Sequence, residues 1–111
     1  MDQLTVQEKV GANYMLLELS GAMDSFTITE LQNKVYSSII DTNVVFDLSQ
    51  ITALDSSGIS VIFAAHNDGE KYNAKLFLMN PSDVAREALE RTGFMDTINV
   101  IHSVTEVSDA I

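Results

Sequence analysis

Two short apolar runs constrain the fold more than any other feature of this sequence. The runs "VVF" at 44–46 and "LFLM" at 76–79 are continuous rather than alternating, which is typical of strands that are buried on both faces. The segments around them carry apolar residues at helical spacing. Buried strands that alternate with helices indicate a sheet with parallel central strands, because the helices are needed to cover its faces.

The beginning of the chain predicts a different connection, a hairpin. Leu4, Val6 and the run 14–19 are strand material, "GAN" between them is the turn, and Gly21 is expected to close the second strand. A hairpin followed by helix–strand units predicts an α/β fold with a small mixed sheet and about four helices. The length suits one domain over residues 1–111.

Signals at their ends place the helices. The first is expected to begin near Thr27, because a Glu three residues on would complete a capping box. The second follows "DSSG" at 55–58 and is expected to stop at Asn73, a residue type that tolerates the left-handed conformation. The third covers "SDVAREALER" and stops at Gly93. The tail predicts a short strand near 98–101 and a last short helix.

Composition argues against several classes of function. Sixteen acidic residues against six basic ones give a net charge of −10, and the six cations are scattered, so nucleic acid and anionic membranes are poor partners. A basic protein surface is a better match, although such acidity also serves solubility alone. There are no cysteines, no secretory signal in "MDQLTVQEKV" and no apolar stretch near the ~20 residues of a membrane span. A cytoplasmic location is therefore expected.

The adjacent serines of "DSSG" raise the question of a catalytic nucleophile. A serine nucleophile needs a base and oxyanion donors, and the chain has only His66 and His102 to serve as the usual base. His66 lies about 12 Å or more from Ser57 along the same predicted helix, which is beyond hydrogen-bonding reach. His102 is in the tail, and nothing resembles the G-x-S-x-G elbow. An enzyme is therefore not expected.

Two other kinds of site can be built from the same region. Asp24, Asp47 and Asp55 lie near predicted strand ends and could hold Mg²⁺ as receiver domains do, but the acidic pair and late lysine of those domains are missing, so no metal or cofactor is expected. The helix start could bind a phosphate ligand or carry a phosphoserine. A plain cap by Asp55 or Ser56 is the simpler interpretation, but it leaves Ser57 surplus and exposed.

Three segments of the chain, in order, resemble one known family. They are "LSGAMDSFTITELQNKV", "VVFDLSQITALDSSGISVIF" and "AKLFLMNPSDVAREALERTGFMD". They are similar to the Gly-x-hydrophobic-Asp turn, the Asp-Ser-Ser/Thr-Gly helix start and the strand–helix–Thr-Gly segment of the STAS domain, especially of bacterial anti-sigma factor antagonists. The chain departs from that pattern at Ser60, where glycine is common, at Ile59, where leucine is usual, and at Asn73, where glycine is frequent.

The resemblance implies a protein-binding function that is switched by phosphorylation. In the family, an unphosphorylated antagonist binds an anti-sigma factor, which is a serine kinase, and so releases a sigma factor. The kinase phosphorylates the antagonist, and a serine phosphatase reverses the step. By position, Ser57 is the expected phosphoacceptor and Ser56 the alternative. The expected partner-binding residues are Asp24, Asp55, Ser56, Ser57, Gly58 and Ser60.

Two other functions remain open within the same family: a scaffold, and a transporter-associated subunit without a sigma-factor role. Such relatives often lack the phosphorylatable serine or carry the domain fused to other segments. The intact Asp-Ser-Ser-Gly and the free-standing length favour the antagonist, acting as a monomer or in a hetero-complex.

Overall fold

Residues 3–110, which the computed structural model describes, form five strands and four α-helices. The elements are β1 Leu4–Val10, β2 Tyr14–Met23, α1 Ile28–Ile39, β3 Asn43–Leu54, α2 Ser56–Lys71, β4 Leu76–Met79, α3 Asp83–Glu90, a 3₁₀ turn Met95–Thr97, β5 Asn99–Ile101 and α4 Thr105–Ala110. Each strand and helix predicted from the sequence pattern is present.

The strands form one sheet, in the order β1-β2-β3-β4-β5. The hairpin strands β1 and β2 pair antiparallel, whereas β2–β3, β3–β4 and β4–β5 are parallel. The predicted mixed sheet is therefore confirmed. Successive parallel strands are added in one direction, so right-handed crossovers place their connecting helices on the same face of the sheet.

The two faces of the sheet are covered by different helices. On one face, Val44 and Phe46 of β3 belong to a buried cluster that includes residues of α1, α2 and α3. On the other face, Val45 and Phe77 pack in a smaller cluster with Val107 of α4. Both apolar runs are thus buried on both sides, as their continuous pattern predicted.

Gly21 does not close β2, so that prediction was wrong. The glycine lies inside the strand with φ +111°, at a register irregularity in the pairing with β3. A Cβ there would lie 1.8 Å from the carbonyl oxygen of Gln3. Gly21 therefore permits a bulge and a close approach to the backbone of Gln3, and strand β2 continues to Met23.

Strand β3 is longer than its apolar run suggested. The chain after the run 44–46 continues as strand, and β3 extends to Leu54. It stays paired with β2, and the last register pair is Met23 with Leu54. The two parallel strands therefore end side by side, which determines where the turns after them lie.

Helix α1 begins where it was expected, but without the capping box. Thr27 is the N-cap, yet its side chain makes no cap hydrogen bond. The Thr27 hydroxyl instead donates to the carbonyl of Ala22 at 2.8 Å and accepts the N–H of Asp24 at 3.0 Å. Glu30 lies 3.5 Å from Lys34 on the same helix. Thr27 thus secures the turn that leads into α1.

Both predicted helix stops are confirmed. Asn73, after α2, has φ +59°, and Gly93, after α3, has φ +77°. These left-handed residues reverse the chain where each helix ends.

Candidate functional site

Asp55 is the N-cap of helix α2. Its backbone is extended, with φ −101° and ψ −172°. Its Oδ1 accepts the N–H groups of Ser57 at 2.9 Å and Gly58 at 3.2 Å. Of the two caps the sequence allowed, the structure therefore selects Asp55 over Ser56. A carboxylate at the positive end of the helix dipole is also favourable electrostatically.

The two serines after this cap differ in exposure. Ser56 is exposed, whereas Ser57 is partly buried, so the expectation of an exposed Ser57 is only partly met. Within residues 3–110, neither of these two hydroxyl groups makes a hydrogen bond. Ser60, one turn further along, is exposed too, but its hydroxyl donates to the carbonyl of Ser56 at 2.8 Å. Ser56 and Ser57 are thus the hydroxyls left without an internal role in this turn.

Gly58 lets the first turn of α2 rest against the end of β2. It is buried, and a Cβ there would lie 2.5 Å from Leu54 Cδ1, 2.9 Å from Met23 Cβ and 3.0 Å from the Met23 carbonyl oxygen. Sequence reasoning noted this glycine only as part of a motif. Its steric role was missed because one of the two residues it approaches, Met23, lies far earlier in the chain.

Asp24 and Asp55 lie at the same end of the sheet, after the C-terminal ends of β2 and β3. Each follows directly from one member of the last register pair, Met23 with Leu54. The N–H of Asp55 donates to the Met23 carbonyl at 3.2 Å. Asp24 is partly buried, and its Oδ1 accepts the N–H of Phe26 at 2.9 Å. The predicted partner-binding residues therefore come from two adjacent turns at one end of the sheet.

Phe26 is a residue of this edge that sequence reasoning missed. It lies in the turn at residues 24–27, which we call the Asp24 turn, and is 79% exposed. An exposed aromatic ring beside polar turns is a feature of protein-binding surfaces. The available signal was an aromatic residue just before α1 that does not fit the helical stripe of Ile28, Leu31 and Val35.

Both histidines lie beside glutamates outside residues 55–58, which we call the serine turn. His66 Nε2 lies 3.4 Å from Glu70 Oε1 on α2, and His102, which follows β5, lies 3.9 Å from Glu106.

Among residues 3–110, no group of three His, Cys, Asp or Glu side chains could hold a metal ion. Over the same residues, no helix has both the length and the apolar character needed to cross a bilayer.

Comparison with known proteins identifies the family. The sequence model of the STAS domain family matches residues 3–107 of this chain. The chain belongs to the STAS domain family. The anti-sigma F factor antagonist of Lysinibacillus sphaericus is 22% identical to this STAS domain over 89 residues, which are 78% of this chain and 76% of that protein.

Two solved structures share the fold of this STAS domain. The anti-sigma factor antagonist SpoIIAA in its unphosphorylated form superposes with a TM-score of 0.78 at 18% identity, covering 96% of this chain and 95% of that one. The Bacillus cell fate determinant SpoIIAA in its phosphorylated form gives a TM-score of 0.73 at 19% identity, covering 96% and 98%. The predicted STAS fold is therefore confirmed.

Proposed function

We propose that this STAS domain is an anti-sigma factor antagonist. It binds an anti-sigma factor with serine kinase activity, and it loses that partner when the serine turn is phosphorylated. The observation that carries the proposal is the pair of internally unbonded serines at the positive end of α2, beside the Asp24 turn. The names of its relatives support it: one is an anti-sigma F factor antagonist, and SpoIIAA has been solved in a phosphorylated form.

The acceptor is one of two neighbouring hydroxyls. Position in the motif puts Ser57 first and Ser56 second, whereas solvent exposure favours Ser56. Either serine lies in the first turn of α2, where the helix dipole favours negative charge. The kinase transfers the γ-phosphoryl group of ATP to the serine oxygen and releases ADP and a proton. A serine phosphatase then hydrolyses the phosphoserine with water and returns inorganic phosphate.

Charge explains why phosphorylation releases the partner. The phosphate adds roughly −1.5 to −2 charges at neutral pH, next to Asp55 and at the same edge as Asp24, on a chain of net charge −10. A partner packed on this turn would enclose new bulk and an unpaired charge, which is unfavourable. The fold has no such conflict, since neither hydroxyl serves an internal hydrogen bond within residues 3–110. The switch therefore acts on binding rather than on folding.

Binding and modification can be measured with defined kinases. Each histidine-kinase-like serine kinase of the same genome is purified and titrated with the STAS domain by calorimetry. The domain is then incubated with that kinase and ATP, and the phosphorylated residue is mapped by mass spectrometry. We expect one kinase to bind and to phosphorylate Ser57 or Ser56.

Aspartate substitutions test the switch itself. Ser57→Asp and Ser56→Asp should each raise the Kd for the kinase and leave the circular dichroism spectrum unchanged. The variant at the serine that accepts the phosphate should raise Kd by about tenfold or more. Ser37→Asp, which adds the same charge at an exposed position of α1, is the matched control. Tight binding by both turn variants, or a phosphate mapped elsewhere, contradicts the proposal. Failure of every such kinase to bind would favour the scaffold or transporter-associated alternatives.

A further inference from the structure

A groove lies between helix α2 and the chain that follows α3, and we call it the α2 groove. Its volume is about 570 Å³, and the residues that line it include Ile59, Phe63, His66, Glu70, Thr92 and Phe94. The rings of Phe63 and Phe94 meet edge to face, with centroids 5.9 Å apart and planes at 80°. Phe94 nevertheless remains 59% exposed. The aromatic pair therefore presents apolar surface to the solvent.

The α2 groove continues to the serine turn. A neighbouring depression of about 320 Å³ is lined by Asp55 and Ser56, by Arg91, and also by Ile59 and Thr92. Ile59 and Thr92 line the α2 groove as well. One partner surface can therefore cover the serine turn and the α2 groove together.

The charges around the α2 groove select for a basic segment. Among the described residues that line the α2 groove itself, none is Lys or Arg. The nearest cations lie in adjoining depressions and are already bonded, Arg91 to Glu87 and Lys75 to the Ala110 carbonyl. Glu70 supplies a carboxylate that lies 3.4 Å from His66 Nε2 but whose side chain is still 71% exposed, and the chain as a whole carries a net charge of −10. Electrostatic complementarity of this kind speeds encounter and sets specificity.

We infer that the α2 groove is a second docking site for the same partner, the serine-kinase anti-sigma factor. It accepts a segment of that partner in which an apolar residue is followed by Lys or Arg. The apolar side chain packs on Phe63 and Phe94, and the cation pairs with Glu70. This inference rests on the proposed function, because it assigns a second contact to that partner. It implies a footprint of two parts, of which phosphorylation changes only the part at the serine turn.

Two substitutions in the groove and two matched controls test the inference. Phe94→Glu places a charge on the aromatic surface, and Tyr36→Glu does the same on α1 at nearly equal exposure, 60% against 59%. Glu70→Lys reverses the charge of the groove, and Glu90→Lys reverses an exposed charge that does not line it. Affinity for the kinase that binds the wild type is measured by calorimetry, and folding is checked by circular dichroism.

The two groove variants should raise Kd about tenfold or more, and the two controls should stay within about twofold of the wild type. The α2 groove inference is overturned if a folded Phe94→Glu variant binds the kinase as tightly as the wild type does. If Phe94→Glu misfolds, Glu70→Lys decides in the same way. Either result leaves the proposed function intact. A wild-type domain that binds no serine kinase overturns both.

Discussion

The backbone N–H of Asp55 donates to the carbonyl oxygen of Met23, at 3.2 Å, where strands β2 and β3 end together. Met23 directly precedes Asp24, and Asp55 directly precedes the two serines. This hydrogen bond therefore holds the Asp24 turn and the serine turn in a fixed relation. Both turns of the candidate site follow directly from these strand ends, so a substitution that shifts the backbone of one turn should also shift the backbone of the other.

Replacing Gly58 tests this coupling. Gly58→Ala should lower the free energy of unfolding by about 1–3 kcal/mol, because its Cβ overlaps Leu54 and the backbone of Met23. Urea unfolding measures the loss, and the amide resonance of Asp24 should shift in NMR spectra. Ser56→Ala, which removes an exposed hydroxyl, should change stability by less than about 0.5 kcal/mol. Wild-type stability with an unmoved Asp24 resonance would refute the coupling.

The cap of helix α2 can be separated from its charge. Asp55→Ala removes the acceptor of the Ser57 and Gly58 N–H groups and should cost about 1 kcal/mol of stability. Asp55→Asn should cost much less, because asparagine caps helices about as well as aspartate. Thermal unfolding of both variants gives the comparison. If the two were equally unstable, the carboxylate charge rather than the cap would be the main contribution of Asp55.

Thr27 and Thr29 form a matched pair for the turn before α1. Thr27→Ala removes the hydroxyl that bonds the Ala22 carbonyl and the Asp24 N–H, and it should cost about 1 kcal/mol. Thr29 is exposed, and Thr29→Ala should stay within about 0.5 kcal/mol of the wild type. Thr27→Ser should restore stability, and the kinase affinity of the three variants should follow the same order. Equal effects of the two alanine variants would show that the hydroxyl does not hold the turn.

The docking of helix α4 should depend on pH through Glu106. The backbone N–H groups of His102 and then Ser103 donate to its carboxylate and lower its pKa. A pKa that is lower in the folded state gives stability above the unfolded value, about 4.3, and this stability is lost as pH falls through the folded pKa.

Glu106→Gln removes that titration. The stability advantage that the wild type has over Glu106→Gln at about pH 5 should shrink as the pH falls below about 4, because the Glu106 carboxylate is then protonated. Urea unfolding across this range measures it. An advantage that persisted unchanged to pH 3 would exclude the bonded carboxylate as its source.

The elements were predictable because their signals are local. The continuous runs at 44–46 and 76–79, and the left-handed stops at Asn73 and Gly93, depend on a residue and its near neighbours. The bulge at Gly21 was not predictable from such signals, because it depends on the approach of the Gln3 carbonyl, just before β1.

The candidate site was predictable as a place but not as a geometry. The Asp-Ser-Ser-Gly motif put both serines at a helix start, and the family resemblance added Asp24. Which residue caps the helix depends on the backbone angles of Asp55, and the difference in exposure between Ser56 and Ser57 depends on how α2 sits against β2. The α2 groove needs α2 and the chain after α3 to meet, which no local pattern reports.

The order of the strands in the sheet is the order in which the ribosome makes them. Each new strand therefore finds its pairing partner already synthesised, at the open edge of the sheet, and does not have to insert between older strands. Such an arrangement allows the domain to assemble from its N-terminus outward. The serine turn is built from β2, β3 and α2 alone, so the chain can complete this turn before β4 and β5 leave the ribosome.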